Sequence, residues 1–485
     1  MMQMNKMKEG AVACAVYFLS VTSLYAQNIE KDFDEFRKKQ QMEFNDFRSK
    51  ADVEFETFLR ETWTKYDAFT PIPAPTRPEP PRPVIFDKTN TVRPPIVVKP
   101  ISGGNVKRRT NIPVKVEIPL IKPGRSVNRT TIDFYGTDFD VATDVIGHVS
   151  LLDNQEASVA DAWKELCRKD YGQLLSDCLT LKKERKLNDW AYLLFTKCIG
   201  EQVCGKDCTN DIVFLQMFLL NKSGYKVRLA KIDNKLKLLV ATEGIIYAAP
   251  FLEMDGDKYY VFEPNPKSST SIYTYRRNFA DAKNLVCLQI RNVPVFSMER
   301  QERMLSSSDS KLKVRVMVNK NLIDFYHDYP QCDVATHYKT PMSEELHSSL
   351  YSQLKKAIDG KSQADAADLL LNFVQTAFQY KTDGEQFGYE KPNFPDETFY
   401  YPYCDCEDRA MLYAILVKDL LKLDTILLDY PNHIASAVCF MEEVPGDYVV
   451  LENGVKYLIC DPTYIGAPIG TCMERYKSVA PKIIF

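Results

Sequence analysis

The chain has 485 residues, which is too many for one hydrophobic core, so we expect two or three domains. Hydrophobic residues make up 45% of the chain and the formal net charge is -3. Because this balance includes neither a basic excess nor a charged tail, nucleic-acid binding is not indicated.

Residues 1–26 predict a secretory signal peptide. Lys6 and Lys8 form its basic region, residues 11–19 form its apolar stretch, and cleavage fits after Ala26. The alternative is an uncleaved membrane anchor. No later run is long and apolar enough to cross a bilayer, so we expect no membrane span after signal removal and a secreted or periplasmic protein.

Residues 27–69 carry an aromatic repeat with a period of 11 residues. The repeat comprises two series, Phe33, Phe44, Phe55 and Tyr66, and Phe36, Phe47, Phe58 and Phe69. An 11-residue period places these rings on one stripe of a long amphipathic helix. The stripe needs a cover, which self-association as a coiled coil, a partner protein or the globular part of this chain would provide. A cofactor role is not indicated.

Residues 70–104 contain ten prolines and end in Gly103 and Gly104. This composition predicts an extended, semi-rigid linker that separates the helix from everything downstream.

The remainder of the chain is an internal repeat. Asp-Cys precedes an apolar run at Cys208 and again at Cys406, and a Tyr-rich strand ends in an acid at Glu263 and again at Asp461. The spacing from the cysteine to the acid is 55 residues in both cases. A supporting repeat is the pair of similar stretches 132–135 and 323–326.

We therefore predict two tandem α+β units, each with a β-rich lead-in segment: a first unit at 105–282 and a second unit at 283–485.

The second unit contains the candidate nucleophile. Residues 404–410 read Cys-Asp-Cys-Glu-Asp-Arg-Ala and precede an apolar, helix-favouring run. Cys406 is expected at the start of this helix, where backbone N–H groups and the helix dipole favour a thiolate. Glu407 and Asp408 act against this effect because they repel a thiolate.

Two later residues supply the other roles that thiol chemistry needs. His433 is the only histidine after Cys406 and begins an apolar, strand-like run, and Asp461 ends a second strand. A thiol needs a base, and an imidazole base needs a carboxylate to fix its tautomer. The backbone N–H of Cys406 is the expected oxyanion donor, with Gln379 or Gln386 as candidate side-chain partners.

These segments resemble the core of the transglutaminase-like (papain-related) superfamily. That family has a Cys at a helix start, a His on the next strand and Asp-Pro-Thr at the end of the strand after it. The family pattern at the nucleophile is Gly-x-Cys-x-Asp-x-Ala, which Cys406, Asp408 and Ala410 match, whereas Cys404 replaces the glycine. The resemblance covers roughly residues 365–470 and implies a Cys406, His433, Asp461 triad that works through a thioester.

The first unit is expected to be a degenerate copy. Lys235 stands at the position equivalent to His433, and no histidine lies between Cys208 and Glu263. A lysine does not act as a neutral base at its usual pKa, so a structural or binding role follows. Cys204 could pair with Cys208 in an oxidising compartment.

Two further features of the second unit are a group of histidines and an aromatic insert. The histidines at 327, 337 and 347 are expected on the surface or in loops, without metal-ligand spacing. The aromatic insert 387–403 is either a cleft wall beside Cys406 or loop packing, and packing is favoured. We expect neither a metal nor a cofactor.

The sequence thus predicts a secreted cysteine peptidase, amidase or transglutaminase-type acyl transferase that acts on a protein or peptide substrate, with hydrolysis favoured over amine transfer. The alternative is a non-catalytic surface or periplasmic scaffold or binding protein. A disulfide-handling role for Cys404 and Cys406 is disfavoured because Cys-x-Cys is not the Cys-x-x-Cys spacing of thioredoxin-like sites.

Overall fold

The computed structural model describes residues 50–75, 82–87, 95–101, 128–264 and 271–485, and its fold is α+β. The predicted signal peptide, the aromatic repeat before residue 50 and parts of the proline-rich segment lie outside these residues.

Helices dominate the first half of each unit. Their bounds are α1 (50–60), α2 (Glu156–Arg168), α3 (Gly172–Glu184), α4 (Asp189–Cys204), α5 (Thr209–Lys222), α6 (Lys320–His327), α7 (Val334–Tyr338), α8 (Glu344–Ile358), α9 (Gln363–Ala377), α10 (Asp383–Gln386), α11 (Pro395–Tyr400) and α12 (Cys406–Leu421).

Strands follow the last helix of each unit and also occur in the segments before it. Their bounds are β1 (Thr64–Asp67), β2 (Val84–Ile85), β3 (Val97–Val98), β4 (Thr130–Phe134), β5 (Thr137–Val141), β6 (Val227–Ile232), β7 (Lys235–Ala241), β8 (Phe251–Met254), β9 (Asp257–Val261), β10 (Ser271–Thr274), β11 (Arg300–Ser306), β12 (Lys313–Asn319), β13 (Gln379–Tyr380), β14 (Tyr403–Cys404), β15 (Asp424–Tyr430), β16 (His433–Cys439), β17 (Tyr448–Val450), β18 (Lys456–Cys460), β19 (Tyr464–Ile465) and β20 (Lys482–Ile484).

The two units contain sheets with the same strand order. The first sheet runs β1-β10-β6-β7-β9-β8 and the second runs β20-β15-β16-β18-β17-β3. The five strands from β10 to β8 correspond to those from β20 to β17, and all their pairings are antiparallel. Helix α5 packs on β6 and β7, as α12 packs on β15 and β16. The internal repeat therefore extends from sequence to topology.

One stretch of the predicted repeat has no structural counterpart. Residues 132–135 lie on β4 and the turn after it, whereas 323–326 lie within α6. The two similar four-residue stretches adopt different secondary structures because tertiary packing overrides the local secondary-structure preference of their residues.

The predicted helix through Phe69 ends at residue 60 instead. Trp63 is buried in the core of the first unit, and Thr64–Asp67 forms β1, which pairs antiparallel with β10. The strand forms because the sheet offers an unpaired edge, and Thr and Tyr fit strands well. Phe55 is buried against Trp163 at 4.7 Å, and Phe58 packs against the same core, so the first unit covers these two rings of the aromatic repeat, whereas Phe69 is half exposed.

The proline-rich segment does more than separate two parts of the chain. Strand β2 pairs with β19 and strand β3 pairs with β17, both in parallel and both in the second unit. These pairs of β-branched residues lie between prolines, which is compatible with short strands at an edge. The prediction of a linker that only separates the helix from the rest of the chain is therefore wrong at these positions.

The predicted division at residues 282 and 283 does not separate the hydrophobic cores. Val286, Phe296 and Phe325 are buried in the core of the first unit, and the amide of Val286 donates to the Ala241 carbonyl at 2.8 Å. The β11–β12 hairpin, by contrast, packs in the core of the second unit. The segment after residue 282 therefore contributes to both cores.

Candidate active site

Three secondary-structure ends position the predicted triad. Cys406 is the first residue of α12, His433 is the first residue of β16, and Asp461 follows the last residue of β18. Helix α12 begins here because the Asp405 amide donates to the Asp408 carboxylate at 3.3 Å, which satisfies a backbone group at the helix start.

The structure brings two members of the triad into direct contact. His433 Nε2 lies 2.8 Å from Asp461 Oδ2, and the His433 side chain is fully buried. The second oxygen of Asp461 accepts from the Thr463 amide at 2.9 Å, so this carboxylate also fixes the turn after β18. Asp461 therefore contacts the imidazole through one oxygen and the backbone of the turn through the other.

The ring of His433 is held between strands and aromatic rings. Tyr476 stacks on it with a centroid separation of 5.2 Å and an interplanar angle of 15°, and Tyr430 in turn stacks on Tyr476. A ring packed in this way has little rotational freedom, so its Nε2 stays directed at Asp461.

The thiol of Cys406 is directed at Glu407 and not at His433. Its Sγ donates to Glu407 Oε2 at 3.0 Å, while Nδ1 of His433 is buried without a hydrogen-bond partner among the described residues. The hydrogen bond between thiol and imidazole that the predicted mechanism needs is therefore not formed in this conformation. Cys406 and His433 both have 0% exposed surface, so the site is closed.

Buried carboxyl groups surround the start of α12. Burial, together with Asp408 and Glu407, raises the pKa of Asp383 to about 10. Burial, with Glu407 as the next cause, raises the pKa of Asp408 to about 7 and holds that of Asp405 well above its usual range. Desolvation and mutual repulsion both disfavour the charged forms.

The cations beside this cluster already have other partners. The Lys391 ammonium pairs with Glu397, and the Arg409 guanidinium donates to the backbone carbonyls of Gln375 and Phe378. The cluster therefore has more acid than its neighbours neutralise.

The same oxygens form ligand sets. One atom each from Asp383, Asp405 and Asp408 lies within 4.8 Å of the others, as does one each from Asp383, Glu390 and Glu407. Carboxylate oxygens suit Ca²⁺ and Mg²⁺, so these residues could hold a hard divalent cation. The sequence analysis predicted no metal site. Asp383 and Glu390 were not predicted because residues 383–403 show no ligand spacing that would connect these two acids to Cys406.

A further residue that the sequence analysis missed is Gln375. Its side chain is buried on α9, donates to the carbonyls of Tyr464 and Ala467 at 2.8 and 3.0 Å, and accepts from the Gly466 amide. It thus holds the loop that follows Asp461. Gln379, a predicted oxyanion partner, is exposed on β13, and Gln386 ends α10.

The first unit lacks an equivalent buried trio. Cys208 immediately precedes α5 and is exposed, and Lys235 begins β7 and is exposed. Glu263, the equivalent of Asp461, is exposed and pairs with Lys197 at 2.6 Å. These three positions therefore carry no acid–base pair of the kind seen in the second unit.

Other predicted features have mixed outcomes. His337 is buried on α7 rather than in a surface loop, and burial lowers its pKa to about 3. In the aromatic insert, Phe394 and Phe399 are buried, in line with loop packing, whereas Tyr389 is exposed. None of the twelve cysteines in the described residues forms a disulfide with another described cysteine, and this includes the predicted pair Cys204 and Cys208.

No helix in the described part of the chain combines the length and apolarity needed to cross a bilayer. Comparison of the chain with protein-family models, curated proteins and solved structures found no match. The candidate site therefore has to be interpreted from its own geometry.

Proposed function

We propose that the second unit is a secreted or periplasmic cysteine hydrolase of transglutaminase-like type that acts on peptide or carboxamide bonds. Cys406 is the nucleophile, His433 the acid and base, and Asp461 the group that orients His433. The observation that carries the proposal is the buried His433–Asp461 pair, 2.8 Å apart, at the start of the strand against which the helix of Cys406 packs.

The pair suits acid–base chemistry because its two ring nitrogens differ. A carboxylate at Nε2 favours the tautomer with its proton on that nitrogen, which leaves Nδ1 as the acceptor. The buried Nδ1 of His433 has no other hydrogen-bond partner among the described residues. It is therefore available to take the proton of the Cys406 thiol once that side chain turns away from Glu407.

The proposed reaction has two stages. In the first, Cys406 Sγ loses its proton to His433 Nδ1 and attacks the carbonyl carbon, the C–N bond breaks, and His433 returns the proton to the leaving amine. In the second, His433 takes a proton from water, which attacks the thioester, and the carboxylic acid leaves as the thiol is restored. Water is the favoured acceptor because it enters a closed site more readily than a lysine side chain.

A second candidate function has its own support. The thiol of Cys406 donates to a carboxylate, and neither Cys406 nor His433 has exposed surface. Both facts fit a non-catalytic binding protein in which Cys406 and His433 are core residues. The two candidates differ in whether the reactivity of Cys406 depends on His433.

The decisive experiment is iodoacetamide labelling of Cys406 between pH 5 and 9, followed by mass spectrometry. In the wild type we expect Cys406 to label at least about tenfold faster at pH 6 than Cys460, a buried thiol of the same unit whose pKa is raised to about 12 by burial. His433→Ala should remove this advantage, and Asp461→Asn, which keeps the side-chain shape, should reduce it.

His337→Ala is the matched control, because it removes a buried histidine of the same unit that has no carboxylate partner. It should leave the labelling of Cys406 unchanged. If Cys406 labels no faster than Cys460, or if neither the His433 nor the Asp461 variant changes its rate, the hydrolase proposal fails and the binding-protein candidate leads.

A further inference from the structure

A cavity of about 630 Å³ that the proposed chemistry does not use is lined mainly by the first unit, with Asp328, Pro330 and Gln331 contributed by the second. It lies between helix α4, the end of strand β9 and the segment that joins α6 to α7. Its size is in the range of sites that hold small molecules or single side chains with their backbone. The cavity belongs to the copy that lacks the histidine, so its function has to be something other than thiol catalysis.

The lining of the cavity combines aromatic rings with acids. The rings come from Phe134, Tyr135, Trp190, Tyr247, Tyr260 and Phe262. Four carboxylates join them, from Asp133, Glu201, Glu263 and Asp328, and Lys197 is the basic residue of the lining. Acids and aromatic faces together favour an organic cation, since both attract positive charge.

The lysine does not balance the acids. Lys197 Nζ lies 2.6 Å from Glu263 and 3.7 Å from Glu201, so its charge is already shared between two carboxylates. Asp133 and Asp328 make no ion pair with any described residue. The Asp328 carboxylate accepts from the neutral hydroxyl of Tyr135 at 2.8 Å, and its backbone carbonyl accepts from Trp190 Nε1 at 3.1 Å. These two carboxylates supply the charge to which a cationic ligand would bind.

A second cavity lies beside the first, on the side of Glu390. It has a volume of about 310 Å³, shares Pro330 and Gln331 with the first cavity, and reaches Glu390. A carboxylate oxygen of Glu390 lies within 4.8 Å of one of Glu407, and Glu407 accepts the hydrogen bond of the Cys406 thiol. The two cavities together therefore extend from the first unit to the neighbours of the candidate nucleophile.

We propose that the first unit binds a lysine or arginine side chain of an extended polypeptide in the larger cavity, with the adjoining residues of that polypeptide in the smaller one. A polypeptide fits better than a free amine because it can occupy two adjacent cavities, whereas a small amine fills one. The proposal that a cationic side chain binds depends only on the residues that line the larger cavity. The direction of the polypeptide toward Cys406 rests on the proposed hydrolase function.

Fluorescence of Trp190 tests the binding step in the full chain. The probe is a blocked seven-residue peptide of alternating lysine and glycine, and we expect it to change the emission saturably, with binding that weakens as salt is added. A peptide of alternating glutamate and glycine should not bind. The Trp190→Phe variant should lose the signal, because Trp63 and Trp163 are buried elsewhere in the first core.

Charge-removing variants identify the groups that hold the cation. Asp133→Asn with Asp328→Asn should weaken the binding of the lysine peptide about tenfold or more, because each variant removes an unpaired carboxylate and keeps the side-chain shape. Asp359→Asn, at an exposed position of the second unit, is the matched control and should bind as the wild type does. Equal binding of the acidic peptide, no saturable change, or an unaffected double variant would overturn the proposal.

Two further measurements separate the parts of the proposal. If butylamine binds as tightly as the peptide, the cavity is a site for free amines and the polypeptide part fails. Saturating lysine peptide should also change the rate of Cys406 alkylation at least about threefold, since its chain would lie along the second cavity. An unchanged rate with a clear Trp190 signal would overturn the direction toward Cys406, whereas failure of the hydrolase proposal appears separately, in the His433 variant.

Discussion

His433 and Lys235 begin corresponding strands of the two sheets, yet one is fully buried and the other is exposed. A neutral imidazole can be buried with one carboxylate partner, whereas a lysine ammonium needs full charge compensation. The replacement of histidine by lysine therefore moves the side chain out of the interior. The replacement accounts for the lack of a buried histidine–carboxylate pair at the corresponding positions, Lys235 and Glu263, of the first unit.

The His433–Asp461 pair makes a prediction about stability. Asp461→Ala leaves the imidazole N–H without an acceptor in a buried environment and releases the Thr463 amide, so we expect a loss of about 2–4 kcal/mol in the free energy of unfolding. Asp461→Asn keeps one of the two acceptor oxygens and should lose less, about 1–2 kcal/mol. Urea titration followed by circular dichroism measures both, and equal losses in the two variants would contradict the inferred hydrogen bond.

The carboxyl cluster makes a prediction about pH. Asp383 has a folded-state pKa raised from its ordinary 3.8 to about 10, and Asp408 one raised to about 7. The folded state therefore binds more protons than the unfolded state above pH 4. The contribution of these two groups to the free energy of unfolding is fully present below that pH. It is lost as pH rises toward 7 and beyond, by at most about 1.4 kcal/mol per pH unit for each proton.

The test of this pH dependence is Asp383→Asn. The Asn oxygen can still accept from the Lys391 amide, which donates to Asp383 Oδ2 in the wild type, while the side chain no longer titrates in either the folded or the unfolded state. We expect the variant to be more stable than the wild type at pH 8 and to show a flatter curve of unfolding free energy between pH 5 and 8. Asp359→Asn is the control at an exposed site, and parallel curves for Asp383→Asn and the wild type would contradict the effect.

At the scale of elements, helix α12 and strands β16 and β18 begin or end where the sequence predicted. Their signals are local: an acidic first turn before an apolar run, and short apolar runs bounded by turn residues. The segment of strand β1 was predicted as helix because its secondary structure depends on pairing with β10, about 200 residues later, and not on its own residues. The same reason hid the pairing of β2 and β3 with the second unit.

The candidate site divides in the same way. Cys406, His433 and Asp461 could be named because each marks the end of an element, and the structure pairs two of them. Asp383 and Gln375 could not be named, because they reach the site only through the packing of α9 and of the insert. The order of motifs along the chain predicts which residues can react. The identity of the residues that surround them depends on tertiary structure, which the motifs do not give.

The end of the aromatic helix makes a prediction at this scale. Phe55 is buried among Trp163, Tyr275 and Phe279, so Phe55→Ala should lower the free energy of unfolding of the first unit by about 3–5 kcal/mol. Val53→Ala, on the exposed side of the same helix, should cost about 0.5 kcal/mol or less. Similar costs for the two variants, measured by tryptophan fluorescence in urea, would show that the helix does not dock as described.

At the scale of the whole molecule, the chain crosses between the units several times. Strand β1 belongs to the first sheet, β2 and β3 pair with strands of the second unit, and β4 begins the helical part of the first unit. Phe394, from the insert of the second unit, is buried in the first core and stacks on Tyr326 at 4.2 Å. Two units joined in this way are expected to unfold together, unlike domains joined by a flexible linker.

Two buried thiols can report this coupling, because Cys178 lies in the first core and Cys460 in the core of the second unit. Pulsed thiol labelling in urea should expose both with midpoints that agree within about 0.5 M in the wild type. Phe394→Ala removes the ring that joins α6 to the insert and should separate the midpoints, whereas Tyr389→Ala, at an exposed ring of the same insert, should not. Separate midpoints in the wild type would mean that the shared strands do not couple the units. Coincident midpoints in both variants would mean that β2, β3 and the segment after residue 282 carry the coupling without Phe394.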